Sequence, residues 1–269
     1  MKRAPATLAF VIACTVAWAV GAVSPALAAT AAALGSGPLS LDAADGVEWR
    51  REEHVFVAEG DAIARQGAVT LRGDRLVASY RDRPAGGVEI FRIDAEGAVR
   101  IENGRDIATG ARAAFDLAAR AIVLTGPGLS YVSGAATVTA RDTLEYDLKT
   151  GRAVARGDAA VEDRRGRLTA SVIEAQLTGS GGNTAGVMLA RAWGGVVIQN
   201  GVETIRAERA AYDFAARRAE ALGAVRITRG QSVLTGERAT IDFNTGVSRL
   251  YGETDGKRVR GLIFPKASK

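Results

Sequence analysis

The chain offers one histidine, His54, in the charged run Arg50-Arg51-Glu52-Glu53-His54. A nucleophile–histidine–carboxylate set would have to use that imidazole, and no glycine-flanked serine elbow accompanies it. The expectation is an exposed residue at a strand end. Cys14 is the only cysteine, and it lies in an N-terminal apolar stretch that reads as a removable export segment. The mature chain then has no thiolate, no disulfide and no cysteine metal ligand. One histidine without cysteine is a poor zinc site. Calcium needs clustered carboxylates, whereas Asp106 and Glu162-Asp163 stand isolated beside arginines. Gly179-Ser180-Gly181-Gly182 lacks the Lys-Ser/Thr and the helix of a phosphate loop. The reading is a non-enzyme with no catalytic residues, no metal and no cofactor.

What remains is an apolar pattern set by glycines. Gly60, Gly97, Gly128, Gly157, Gly194 and Gly223 are each followed sixteen residues later by Leu76, Ala113, Leu144, Ile173, Ala210 and Ala239, and Gly252 closes the series. The intervals run 37, 31, 29 and then 37, 29, 29, so a three-unit block occurs twice. A period of this size marks a stacked, quasi-one-dimensional fold that presents a long surface or groove. Gly97-Ala98-Val99-Arg100-Ile101, Gly194-Gly195-Val196-Val197-Ile198 and Gly223-Ala224-Val225-Arg226-Ile227 alternate apolar and polar residues, as half-buried strands do. The 206–221 stretch comes closest to a helix by propensity, but its Tyr212-Asp213-Phe214 alternation reads as strand. Phe115-Asp116-Leu117-Ala118-Ala119-Arg120 matches Tyr212 to Arg217, and Tyr146 to Gly151 matches Ile241 to Gly246. Their Asp-to-Gly spacing is turn chemistry.

These elements predict an all-β chain. Strand parity turns Leu76, Val99, Ile101, Phe115, Leu117, Leu144, Tyr146, Leu148, Ile173, Val196, Ile198, Tyr212, Phe214, Val225, Ile227, Ile241 and Phe243 to one inward face. In a small closed barrel these residues fill the core. In a long two-ended sheet, interleaved with alanines, they line a lumen for a linear apolar ligand. An acyl chain of about twelve carbons, at ~0.8 kcal/mol per methylene, would gain on the order of 8–10 kcal/mol there.

Residues 1–28 read as a cleaved signal peptide, with Lys2 and Arg3, an apolar run from Leu8 to Val23, and Ala26-Leu27-Ala28. Residues 29–44 read as a flexible linker, 45–156 as the first block, 157–265 as a second block continuous with it, and 266–269 as a tail. The chain has 35 basic and 30 acidic residues, a balance that excludes nucleic acid as partner. Arginine dominates the basic set, and its planar guanidinium suits phosphates as well as solvated strand faces.

Gly97 to Ile101, Gly73-Asp74-Arg75-Leu76, and Phe115-Asp116-Leu117 with Leu124-Thr125-Gly126 resemble the OstA-like repeat of the LptA family of lipopolysaccharide-transport proteins. The opening from Leu41 to Trp49 and the closing stretch from Val259 to Pro265 are similar to the ends of such domains. The resemblance implies an elongated, twisted antiparallel β-jelly-roll in the periplasm of a Gram-negative cell, its lumen carrying the lipid A acyl chains of lipopolysaccharide. It implies partners joined by edge-strand addition, namely an LptC-like inner-membrane anchor and an LptD-like outer-membrane translocon, with head-to-tail self-association by the same means. An ATP-driven extractor would supply the energy. The doubled block departs from a minimal member and stands where a second subunit would. A scaffold of the same fold that carries no lipid is the alternative. An adhesin-like β-solenoid would stack parallel rungs of uniform length, which the unequal intervals and hairpin turns oppose.

Overall fold

Gly60, Gly97, Gly157, Gly194 and Gly223 all have positive φ, and so do the residues that follow them, Asp61, Ala98, Asp158, Gly195 and Ala224. Each pair forms a β-bulge that bends a long strand near its middle. The computed structural model describes residues 37–84, 86–177, 186–252 and 258–264. They form strands and turns, with no helix among the described residues.

β1 (Ser40–Asp42) and β2 (Gly46–Arg50) make one interrupted strand along β3 (Val55–Gln66). β4 (Val69–Asp82), β5 (Val88–Asn103) and β6 (Asp106–Asp116) continue as an antiparallel meander. Two interrupted strands follow: β7 (Ala121–Thr125) with β8 (Ser130–Ser133), then β9 (Ala136–Thr139) with β10 (Thr143–Asp147). The meander resumes through β11 (Arg152–Asp163), β12 (Gly166–Leu177), β13 (Val187–Asn200), β14 (Glu203–Asp213), β15 (Arg218–Arg229) and β16 (Ser232–Asp242). β17 (Val247–Tyr251) and β18 (Arg260–Leu262) end it, both on β16. The result is one continuous antiparallel sheet, bent along its length into two facing walls. Residues from both strand halves, such as Ala58 with Leu76 and Ala64 with Leu71, join a single buried cluster between those walls.

The duplication is visible in the ladder. Register shifts at Glu59/Ala62, Arg72/Arg75 and Glu96/Val99 recur 97 residues on (59 to 156, 72 to 169, 96 to 193). The expected block boundary at 156/157 falls inside β11, so the two copies share one sheet. The sheet also begins earlier than expected. Ser40–Asp42 pairs with Ile63 to Arg65, and Leu39 and Leu41 pack on the core, so these residues of the expected linker are built into the fold. The interruption between β7 and β8 coincides with Gly126-Pro127-Gly128, where proline has no N–H for the ladder. The expected signal peptide, the Ser180 to Asn183 loop and the 266–269 tail lie outside the described residues.

Bulge glycines are held by space as well as by φ. A Cβ at Gly97 would overlap the Asp74 carboxylate of the preceding strand, and one at Gly157 would overlap Asp142. Gly67, also at positive φ, sits in a turn with open space. Chemical denaturation should show Gly97→Ala losing about 2–3 kcal/mol and Gly67→Ala only about 1 kcal/mol. Equal losses would mean that the bulge is not the tighter site.

Candidate functional site

Both walls mix small and large apolar side chains. In the wall formed by the first halves of the bulged strands, one inward row reads Ala58, Leu76, Ala95, Ala113, Leu124, Leu144, Ala155, Ile173, Ala192, Ala210, Ala221, Ala239, each opposite the next. The next inward row of the same wall carries Ile93, Phe115, Ile122 and Tyr146, and the facing wall mixes Leu71, Ile101, Tyr131 and Leu168 with the alanines Ala62, Ala64, Ala108 and Ala170. All seventeen residues assigned inward by strand parity lie on the interior side. Thirteen are buried, while Leu117, Phe214, Ile227 and Phe243 are partly buried and packed against the core. Arg112 and Arg209, on the same strands, are exposed.

The interior is closed along most of its length. A cavity of about 70 Å³ lies where the interrupted strands meet, lined by Leu124, Tyr131, Val138, Leu144, Tyr146 and Ile173 among others. Such a volume holds a few atoms, not a whole acyl chain. Tyr146 is fully buried, and its hydroxyl has no hydrogen-bond partner among the described residues. Burial pushes this phenol up to about 12, the Asp147 carboxylate adds to the shift and Arg120 opposes it.

Aromatic residues stand at both ends. At the N-terminal end Trp49 stacks on Phe56 with centroids 5.5 Å apart, and its Nε1 donates to the Tyr80 hydroxyl at 2.8 Å. The Arg51 guanidinium covers the Trp49 ring at 4.1 Å. His54 lies beside Tyr80, exposed, with Nε2 3.4 Å from the Asp82 carboxylate, as an expected strand-end residue. Toward the C-terminal end Tyr212 meets Phe214 and Phe243 edge-to-face at 4.4 and 5.5 Å. The outermost strands leave large apolar side chains exposed, Val47 and Trp49 on β2 and Val247, Tyr251 and Leu262 on β17 and β18.

Parity reasoning missed the bulky residues Leu71, Leu168 and Ile205 and the stacking of Trp49 and Phe56 beside Tyr80. The same alternation, counted back from the turns at Gly67 and Gly201, would have found the first three. The turns rimming the interior also differ. On one side they present Leu117, Leu148, Phe214 and Phe243, and on the other the buried polar residues Gln66, Asp106, Ser133 and Glu203. Among the described residues no His/Cys/Asp/Glu cluster could hold a metal ion.

An antiparallel β-jelly roll with an apolar interior and two open edges is the class of protein these features define. Residues 43–152 match the family model described as LptA/(LptD N-terminal domain) LPS transport protein. Among solved structures it is similar to LptH, the LptA homologous periplasmic component of the lipopolysaccharide transport device from Pseudomonas aeruginosa. The identity is 18%, the TM-score 0.41, and the similarity covers 48% of this chain and 95% of that one. No curated protein matches the chain.

Asp106 gives a pH test of the polar rim. Burial raises its carboxyl above the ordinary range, and the neighbouring Ser133 opposes the rise. A raised carboxyl favours the protonated form in the folded state. Its destabilising effect is therefore present above the folded pKa, fades as pH falls through it, and is gone below the unfolded value. Asp106→Asn should raise the melting temperature at pH 7, with the gain vanishing near pH 3. A pH-independent gain would remove ionisation as its cause.

Proposed function

We propose that this protein is a non-enzymatic periplasmic carrier of lipopolysaccharide that holds lipid A acyl chains between its two walls and bridges inner- and outer-membrane components. The observation that supports this reading is the uninterrupted apolar interior running between two sheet edges, in a chain whose first block is of LPS-transport type. The edge strands β2, β17 and β18 present unpaired backbone and exposed apolar side chains. Edge-strand addition would join them to an LptC-like anchor, an LptD-like translocon or a second copy. A photoreactive residue placed singly at Phe115, Tyr146 or Tyr212 in living cells should crosslink lipopolysaccharide, and one at Arg112 or Arg209 should not. Adducts at neither set in folded protein would sink the carrier reading.

The closed interior favours a second reading, an envelope scaffold of the same fold that carries no lipid. Ala113 and Ala210 separate the two, since both are buried small residues in the alanine-rich row. Ala210→Trp should abolish lipid capture in a carrier while the protein still reaches its assembly partners. In a scaffold the same change should lower only the melting temperature.

A further inference from the structure

Four turns on the apolar rim share one design. Each opens on an aspartate whose Oδ1 accepts backbone N–H groups within the turn, and each ends on a residue in the left-handed region. That last residue is Arg120 (φ 59°), Gly151 (68°), Arg217 (51°) and Gly246 (69°). Conformational energy favours glycine there, by roughly 1–2 kcal/mol over a residue with a Cβ. Gly246, with open space around it, shows the unforced choice. The backbone task does not require arginine either. The carbonyl of Arg120 accepts from the Leu148 N–H at 2.9 Å and that of Arg217 from Phe243 at 3.0 Å, and the carbonyl of Gly151 does the same for Leu177 at 2.8 Å.

The two arginines occupy matching turns of the two blocks. Both are exposed, and neither has a carboxylate partner among the described residues. Arg120 lies within electrostatic reach of the buried Tyr146, whose hydroxyl is unpartnered. Arg217 lies within electrostatic reach of the buried Tyr212, as does Arg165, which is paired with the Asp163 carboxylate at 3.4 Å.

We infer that Arg120 with Tyr146, and Arg217 beside Tyr212, are two anion-binding positions at the rim of the interior that take the phosphate of an amphiphile whose acyl chain lies inside. This rests on the carrier reading and adds the headgroup to it. A planar guanidinium offers two parallel donors to a phosphate, and the unpartnered Tyr146 hydroxyl could add a third at the first position.

Calorimetric titration of the full mature chain with decyl phosphate, decanol and inorganic phosphate tests it. The wild type should prefer decyl phosphate to decanol by about tenfold or more. The Arg120→Gly/Arg217→Gly variant should lose that preference, bind decanol as before, and melt at the same temperature or higher. The Arg120→Asn/Arg217→Asn variant, which also tolerates positive φ, guards against a folding defect. A preference kept by both variants overturns the headgroup assignment and leaves the carrier reading standing. Phosphate binding without alkyl binding, lost in the variants, assigns the arginines to free phosphate and overturns both. A wild type that binds none of the three also overturns both.

Discussion

Every long strand must bend at the same height without giving up its ladder, and the architecture depends on how that is done. In alternate strands, β3, β5, β11, β13 and β15, a bulge supplies one extra residue, and two successive positive-φ residues turn the strand through the bend. A polar side chain from the preceding strand then lies against the bulge glycine: Asp45 at Gly60, Asp74 at Gly97, Asp142 at Gly157, Ser171 at Gly194, Glu208 at Gly223. Ser171 donates to the Gly194 carbonyl at 3.0 Å, and Glu237 accepts from the Ala224 N–H at 3.4 Å. Because the bends align, the inward rows of the two halves face each other along the molecule. An enclosed apolar interior follows from that alignment with no barrel closure.

The sixteen-residue spacing has a simple geometric meaning. It runs from the bulge through the hairpin turn and back to the residue opposite the position two before the glycine. Leu76 faces Ala58, Ala113 faces Ala95, Ile173 faces Ala155, Ala210 faces Ala192 and Ala239 faces Ala221. Leu144 instead faces Leu124, because Gly128 lies in an interrupted strand and not at a bulge. Such local relations are legible because turns and bulges are written in a few adjacent residues. Which residues of one wall face which of the other was not legible, since that joins residues far apart in the chain. Nor was the strain at Arg120 and Arg217, where a charged side chain stands at a glycine position.

The interrupted strands carry a further lesson. β8 pairs with β9 and β7 with β10 by the same antiparallel ladder that joins the unbroken strands, around a connecting turn at Gly134. An edge strand could add a further chain by that same ladder with no connecting turn. The apolar cluster crosses the interrupted strands unbroken, from Leu124 and Tyr131 to Leu144 and Val161.

A closed interior is compatible with carriage for an energetic reason. Admitting an acyl chain exchanges wall-to-wall apolar contact for wall-to-chain contact, so little apolar surface need meet water in the exchange. What the chain leaves behind is its own aqueous surface, on the order of 0.8 kcal/mol per methylene. The alanine row from Ala192 to Ala239 is where the walls have least side chain to displace. The inward rows present methyl, methylene and ring surface almost throughout, which resists no particular axial position of a hydrocarbon. On the carrier reading the acyl part is free to slide, and position along the path is set only where polar groups stand at the rim.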